Sequence, residues 1–150
     1  MPGRKALDAA LIGKAGEALV AGELLRRRID VAYPAFDGGV DLVAYRGHAF
    51  DNAIPIQVKA RSSTCYTFQK KWFEIPSIVL IQVWHVATTP EFYVFRNVQD
   101  VEGALGSRHV SSPSWARDGR YSVTNPNDEQ IERMQPYRDK WKWIEALFES

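Results

Sequence analysis

Residues 38–60 read GGVDLVAYRGHAFDNAIPIQVKA, and how this stretch pairs with itself decides the fold. Val40, Leu42 and Ala44 occupy one side of a period-two pattern, and Ile56 and Val58 one side of a second. The RGHAFDN segment between them reads as a hairpin connection, and Gly38-Gly39 as a turn or bulge before the first strand. A register that sets Asp41 opposite Gln57 brings both polar groups to one place. A slip of one residue would send them to opposite faces. Gln57 and Lys59 share the face away from Ile56 and Val58. An amide beside an ammonium there marks either a solvated sheet face or a site.

Upstream, residues from about 5 to 28 are rich in Ala, Leu, Glu, Lys and Arg, which predicts a long helix. Leu7, Ala10, Leu11, Ala18, Ala21, Leu24 and Leu25 fall on one broad face at helical spacing. Glu17 lies inside that face. A carboxylate in a buried stripe is costly unless it is paired or bound to a metal; the alternative is a Glu at the stripe's edge reaching water. The segment DVAYPAF after the helix reads as a strand, and Pro55 marks a strand start or an edge position.

Downstream, the run from Ile78 to Trp84 has the continuous apolar character of a central strand covered on both faces. EFYVFRN reads as a further strand, DVEGAL as a short helix, and residues 106–124 as an irregular loop. Asn127 to Glu149 is helical in composition and interrupted at Pro136. Trp141, Ile144, Leu147 and Phe148 share a face there, to pack on the core or to form a dimer surface. The predicted architecture is a three-layer α/β sandwich. It has a central mixed sheet of about five strands, an N-terminal helix and a C-terminal helix.

The chain has 150 residues, 45% hydrophobic and 25% charged, which suits a single globular domain over residues 1–150. Its formal charge is +1, from 19 basic and 18 acidic side chains, and a local basic groove is compatible with that balance. The single cysteine, Cys65, excludes an intramolecular disulfide and a zinc site of several thiolates. No signal-peptide pattern and no apolar run near the ~20 residues of a membrane span is present, so a soluble cytoplasmic protein is expected. His48, His85 and His109 are scattered without ligand spacing, and neither a P-loop nor a dinucleotide fingerprint occurs.

Two carboxylates (Glu17 and Asp41), an amide oxygen (Gln57) and an ammonium (Lys59) at one strand mouth suggest metal-assisted phosphodiester hydrolysis. Mg²⁺ favours oxygen ligands, usually one or two carboxylates with waters and phosphate oxygens. It lowers the pKa of bound water and polarises the phosphoryl group. A neighbouring lysine orients that water and stabilises developing charge.

GKAGEALVAGELL, DGGVDLVAY and IQVKA, in this order, resemble the PD-(D/E)xK or restriction-endonuclease-like nuclease superfamily. The glycine-flanked Glu17 is similar to that of Holliday-junction resolvases, and DGGVD with a Q-x-K strand to Mrr-type enzymes. The match covers roughly residues 12–61. The resemblance implies metal ligation by Glu17, Asp41, Gln57 and the Val58 backbone carbonyl, with Lys59 as the catalytic lysine and Asp37 as an auxiliary acid. It implies a Mg²⁺-dependent deoxyribonuclease, an endonuclease in which Mn²⁺ can substitute. Gln57 stands where the family usually has an acid, which removes one negative charge and should weaken metal affinity.

After the lysine, KARSSTCYTFQKKWF offers Arg61, Ser62, Ser63, Lys70 and Lys71 for phosphate contacts. Lys14, one turn before Glu17, joins them, and Tyr66, Phe68 and Trp72 either stack on bases or cap the sheet. No separate target-recognition segment is visible, which points to structure-selective or weakly sequence-selective cutting of DNA. A homodimer is expected, because two sites cut two strands most simply. The rival readings are a catalytically inactive module of the same fold, binding DNA or a protein, and an interaction protein acting through its C-terminal aromatic face.

Overall fold

The computed structural model describes residues 8–36 and 38–149. Helix α1 (Ala9–Arg26) is capped by Asp8, whose Oδ1 accepts a hydrogen bond from the Leu11 N–H at 2.9 Å. Strands β1 (Asp30–Ala32), β2 (Leu42–Arg46) and β3 (Ala49–Ala60) follow as an antiparallel meander. The chain then forms β4 (Tyr66–Gln69) and a 3₁₀ turn (Lys70–Glu74) before β5 (Val79–Trp84) and β6 (Glu91–Phe95). Beyond these lie α2 (Val98–Leu105), the one-turn helices α3 (Ser107–Val110) and α4 (Pro113–Ala116), and β7 (Arg120–Val123). Helix α5 (Asp128–Met134), a second 3₁₀ turn (Gln135–Tyr137) and α6 (Trp141–Leu147) end the chain.

The central sheet has five strands in the order β1-β2-β3-β5-β6, with β3 and β5 parallel and the other pairs antiparallel. The hairpin register is the one that serves Asp41: Leu42 pairs with Ile56, Val43 with Pro55 and Ala44 with Ile54. The ladder ends at Leu42, and the Asp41 N–H bonds to the Ile56 carbonyl instead of extending the pairing to Gln57. Pro55 sits inside the 12-residue β3 and costs no ladder bond. Its nitrogen points towards β5, which begins opposite Ile56, so β3 is still an edge there.

Two apolar cores flank the sheet. Leu42, Ala44, Ile54, Ile56, Val58 and Ala60 face α1 and α6, where Val20, Leu24, Trp141 and Ile144 are buried against them. Leu80, Trp84, Tyr93 and Phe95 face the other way, onto β4, the first 3₁₀ turn, α2, Trp115 and Met134. All six residues of β5 are buried, as a strand covered on both faces requires. Burial pushes the Tyr66 phenol of the second core up to about 12.

Three expectations need correction. The buried stripe of α1 is Gly16, Val20, Ala21 and Leu24, with Ile12, Ala15 and Leu19 partly buried, whereas Ala10, Leu11, Ala18 and Leu25 are exposed. Leu7 lies outside the described residues. Apolar residues surround this helix, so periodicity alone does not choose the face; contact with β3 does. A Cβ built on Gly16 would lie 2.3 Å from the Ala60 Cβ, and only a glycine permits so close a crossing. Residues 106–124 are not a plain loop, since β7 pairs antiparallel with β4 in a two-stranded ribbon. Finally, Tyr66, Phe68 and Trp72 are buried and cap the sheet, so they offer no face to a base.

Gly16→Val is expected to lower the unfolding free energy by about 2–3 kcal/mol, because overpacking outweighs the gain in helix propensity. Gly22→Ala, where an added Cβ meets nothing within 4 Å, should be neutral or stabilising by up to ~1 kcal/mol. Urea unfolding measures both, and equal midpoints for the two variants would contradict the close crossing.

Candidate active site

The site lies where β2 has not yet begun and β3 continues with β5 on its other side only. The Asp41 N–H donates to the Ile56 carbonyl at 2.8 Å, which anchors the residue at the mouth of the hairpin. Its side chain then takes the place of a ladder partner: the Val58 N–H donates to Asp41 Oδ2 at 2.8 Å. This places the carboxylate against the backbone between Gln57 and Lys59. In a strand the N–H and C=O of a residue point the same way, so the Val58 carbonyl is directed to the same side.

Glu17 reaches this mouth from the opposite layer. Gly16 holds α1 against Val58 and Ala60, and the next residue is thereby turned towards Asp41. Glu17 and Asp41 line one small cleft of about 100 Å³ with Lys14, Tyr33, Pro34 and Val40. The Glu17 side chain is 14% exposed and accepts from Lys14 Nζ at 3.2 Å. Lys14 is itself 80% exposed, and a pair so open to water adds little stability. The carboxylate therefore rests in a largely buried position with one weak cationic neighbour.

Gln57 and Lys59 emerge on the other face. Gln57 is 6% exposed, and its Oε1 has no hydrogen-bond partner among the described residues. A buried amide oxygen left unpaired costs about 1–3 kcal/mol. Gln57 lines a cleft of about 430 Å³ with Gly38, Gly39, Lys71, Trp72, Glu74 and Ile75. Lys59 Nζ stands 5.0 Å from the centroid of the Trp72 ring, a cation–π contact that steadies the ammonium without neutralising it. Lys59 makes no ion pair among the described residues.

The hairpin and α1 thus bring Glu17 and Asp41 into one cleft beside the Val58 backbone, while the Gln57 and Lys59 side chains line the opposite face of the same strand. Asp37 lies outside the described residues. Of the expected phosphate contacts, Arg61 extends β3, its N–H donating to the Val83 carbonyl at 2.9 Å and its own carbonyl accepting from the Val86 N–H at 3.1 Å. Ser62 and Ser63 are exposed beyond it, and Lys70 and Lys71 lie on the first 3₁₀ turn. Gln82 was not legible as part of this neighbourhood. It pairs in register with Lys59, is 1% exposed, and its Nε2 donates to the Thr67 carbonyl at 2.7 Å. The signal was there, as one polar residue within an otherwise apolar strand.

No group of three or more His, Cys, Asp or Glu is arranged to hold a metal among the described residues. The donors at the mouth are instead two carboxylates and two neutral oxygens. Two carboxylates beside a backbone carbonyl suit a hard divalent cation, and the orphaned Gln57 Oε1 lies in the neighbouring cleft.

The bacterial homing endonuclease I-Ssp6803I is similar in structure, with a TM-score of 0.55 over 93% of this chain and 92% of that chain, at 16% sequence identity. The chain has a restriction-endonuclease-like fold. Hjc, a Holliday junction resolvase from the archaeal hyperthermophile Archaeoglobus fulgidus, aligns with a TM-score of 0.45 over 59% of this chain and 74% of that chain, at 18% identity. No family model matches the sequence, and no curated protein matches it. The fold agrees with the resemblance drawn from the three motifs. No helix among the described residues is long and apolar enough to cross a membrane.

The orphaned amide makes a stability prediction. Gln57→Met should stabilise the metal-free protein by about 1 kcal/mol, because it removes a buried unpaired oxygen and keeps the volume. Thermal unfolding in a chelator checks this, and a loss of stability would mean that Gln57 already has its partner.

Proposed function

We propose that the protein is a metal-dependent endonuclease that hydrolyses DNA phosphodiester bonds. The observation that carries this reading is the Asp41 carboxylate held on the Val58 N–H, between Gln57 and Lys59 and in one cleft with Glu17. Glu17, Asp41, Gln57 Oε1 and the Val58 carbonyl would hold Mg²⁺, or Mn²⁺ in its place. When bound, the ion supplies an activated water and a polarised phosphoryl group.

The chain's own residues do the rest. The Val58 N–H fixes one Asp41 oxygen, which leaves its rotamer little freedom. Lys59, on the face of Trp72 and in no ion pair among the described residues, is available to the scissile phosphate and to negative charge developing on it. Lys14, Arg61, Ser62, Ser63, Lys70 and Lys71 would hold the flanking phosphates. Two protomers, each with one such site, would cut both strands of a duplex.

Asp41→Ala and Lys59→Ala should each lower the rate of Mg²⁺-dependent cleavage of duplex, flap and four-way-junction DNA by at least ~100-fold, a magnitude in keeping with loss of one charge-stabilising group. Both variants should keep the wild-type circular dichroism spectrum. Gln57→Glu should lower the Mg²⁺ concentration needed for half-maximal rate, since it restores a charge to the ligand set. If wild type and both alanine variants bind DNA equally and none cuts any substrate with Mg²⁺ or Mn²⁺, the chain is an inactive binding module instead.

A further inference from the structure

Beside the candidate site stands an element that the nuclease reading does not use. The β4–β7 ribbon buries Tyr66 and Phe68 against the second core and turns its other face outwards. On that face Thr67 pairs with Ser122 and Gln69 with Arg120, with the Gln69 Oε1 buried and without a hydrogen-bond partner among the described residues. The Thr67 and Ser122 hydroxyls are 3.0 Å apart, and Arg120 and Ser122 are exposed. The outward face carries no apolar and no acidic side chain.

The ribbon ends in a cleft of about 280 Å³ lined by Gln69, Arg120, Lys70, Lys71, Arg117 and Glu74, with Asp118 and Gly119. Four cations face two carboxylates there, and Asp118 is already paired to Arg117 at 2.9 Å. The surface is therefore complementary to a polyanion. Lys71 and Glu74 line this cleft and the Gln57 cleft alike, so the two are contiguous. The ribbon is also fixed in place. Gln82 donates to the Thr67 carbonyl from the strand position next to Lys59, Ser114 Oγ donates to the Arg120 carbonyl, and Lys70 lies over the Trp115 ring at 5.1 Å.

Resting on the nuclease reading, we propose that the outward face of β4–β7 is a sequence-reading element that enters the major groove of duplex DNA, with Arg120 contacting base edges and the orphaned Gln69 amide turning out of the protein to join it. The major groove admits a two-stranded β-ribbon. Arg pairs bidentately with guanine and Gln with adenine, while Ser and Thr bond to either. Lys70, Lys71 and Arg117 beside them hold phosphates and set the register. A ribbon of four residues per strand reads only a few base pairs, which fits weakly sequence-selective cutting.

The test is selection of bound duplexes from a randomised pool by the full chain in a chelator, followed by sequencing, so that no step depends on cutting. Wild type should enrich a short motif. Arg120→Lys and Gln69→Ala should each lose preference at one base pair, by about 5- to 150-fold in discrimination, and keep non-specific affinity within about threefold. Arg120→Lys retains the charge, so an unchanged motif in that variant would reduce Arg120 to a phosphate contact and overturn the assignment. A wild type that binds duplex without any motif would overturn it too. Cleavage assays on the same proteins separate the two ideas: ribbon-dependent selection without cutting removes the nuclease reading alone, and cutting with an unaltered motif in both variants removes the ribbon proposal alone.

Discussion

The contact between Gly16 and Ala60 is the constraint on which the rest depends. With no side chain at residue 16, α1 settles onto β3 until the two backbones are as near as the Ala60 methyl allows. That crossing has three consequences. It selects which of several apolar faces of α1 is buried, it closes the first core around Val58 and Leu24, and it turns Glu17 into the gap beside Asp41. A larger residue at 16 would lift the helix and carry Glu17 away with it. The glycine before the acid is thus the device that joins a helix on one layer to a strand mouth in the sheet.

The second constraint is the incomplete ladder at the start of β2. A strand that continued to Val40 would pair its backbone with Val58 and leave no room for a side chain. Instead the Asp41 carboxylate accepts the Val58 N–H, so a group that could coordinate a cation also satisfies the sheet. Gln57 is less economical. Among the described residues its buried oxygen has no partner, and Lys59 lies against the Trp72 ring. Unsatisfied polar groups cluster at functional sites because the stability they cost is recovered when a ligand arrives.

Much of this was legible in the sequence because period-two alternation and a short turn fix a hairpin register, and the register fixes which side chains meet. Leu42 against Ile56 and Ala44 against Ile54 follow from that alternation. The central strand Val79–Trp84 was legible from its apolar run, and the break at Pro136 from proline's missing N–H. The buried face of α1 was not, because alanine and leucine surround the helix and the deciding contact is a tertiary one at Gly16. Nor was β7, four residues with modest strand propensity that pair only because β4, over fifty residues earlier, offers an edge. Local pattern does not encode such a distant partner. The aromatic stretch after Lys59 was equally ambiguous, since Tyr66, Phe68 and Trp72 have the composition of a stacking platform and the burial of a core.

The most direct test of a single site assembled from two layers is titration of the labelled protein with substoichiometric Mn²⁺, read by paramagnetic broadening of backbone amide signals. The account predicts selective broadening at Gly16, Glu17, Asp41, Gln57 and Val58, lost in Asp41→Asn. Broadening centred instead on another acidic stretch, such as Asp128, Glu129 and Glu132 of α5, and unaltered in that variant, would contradict it.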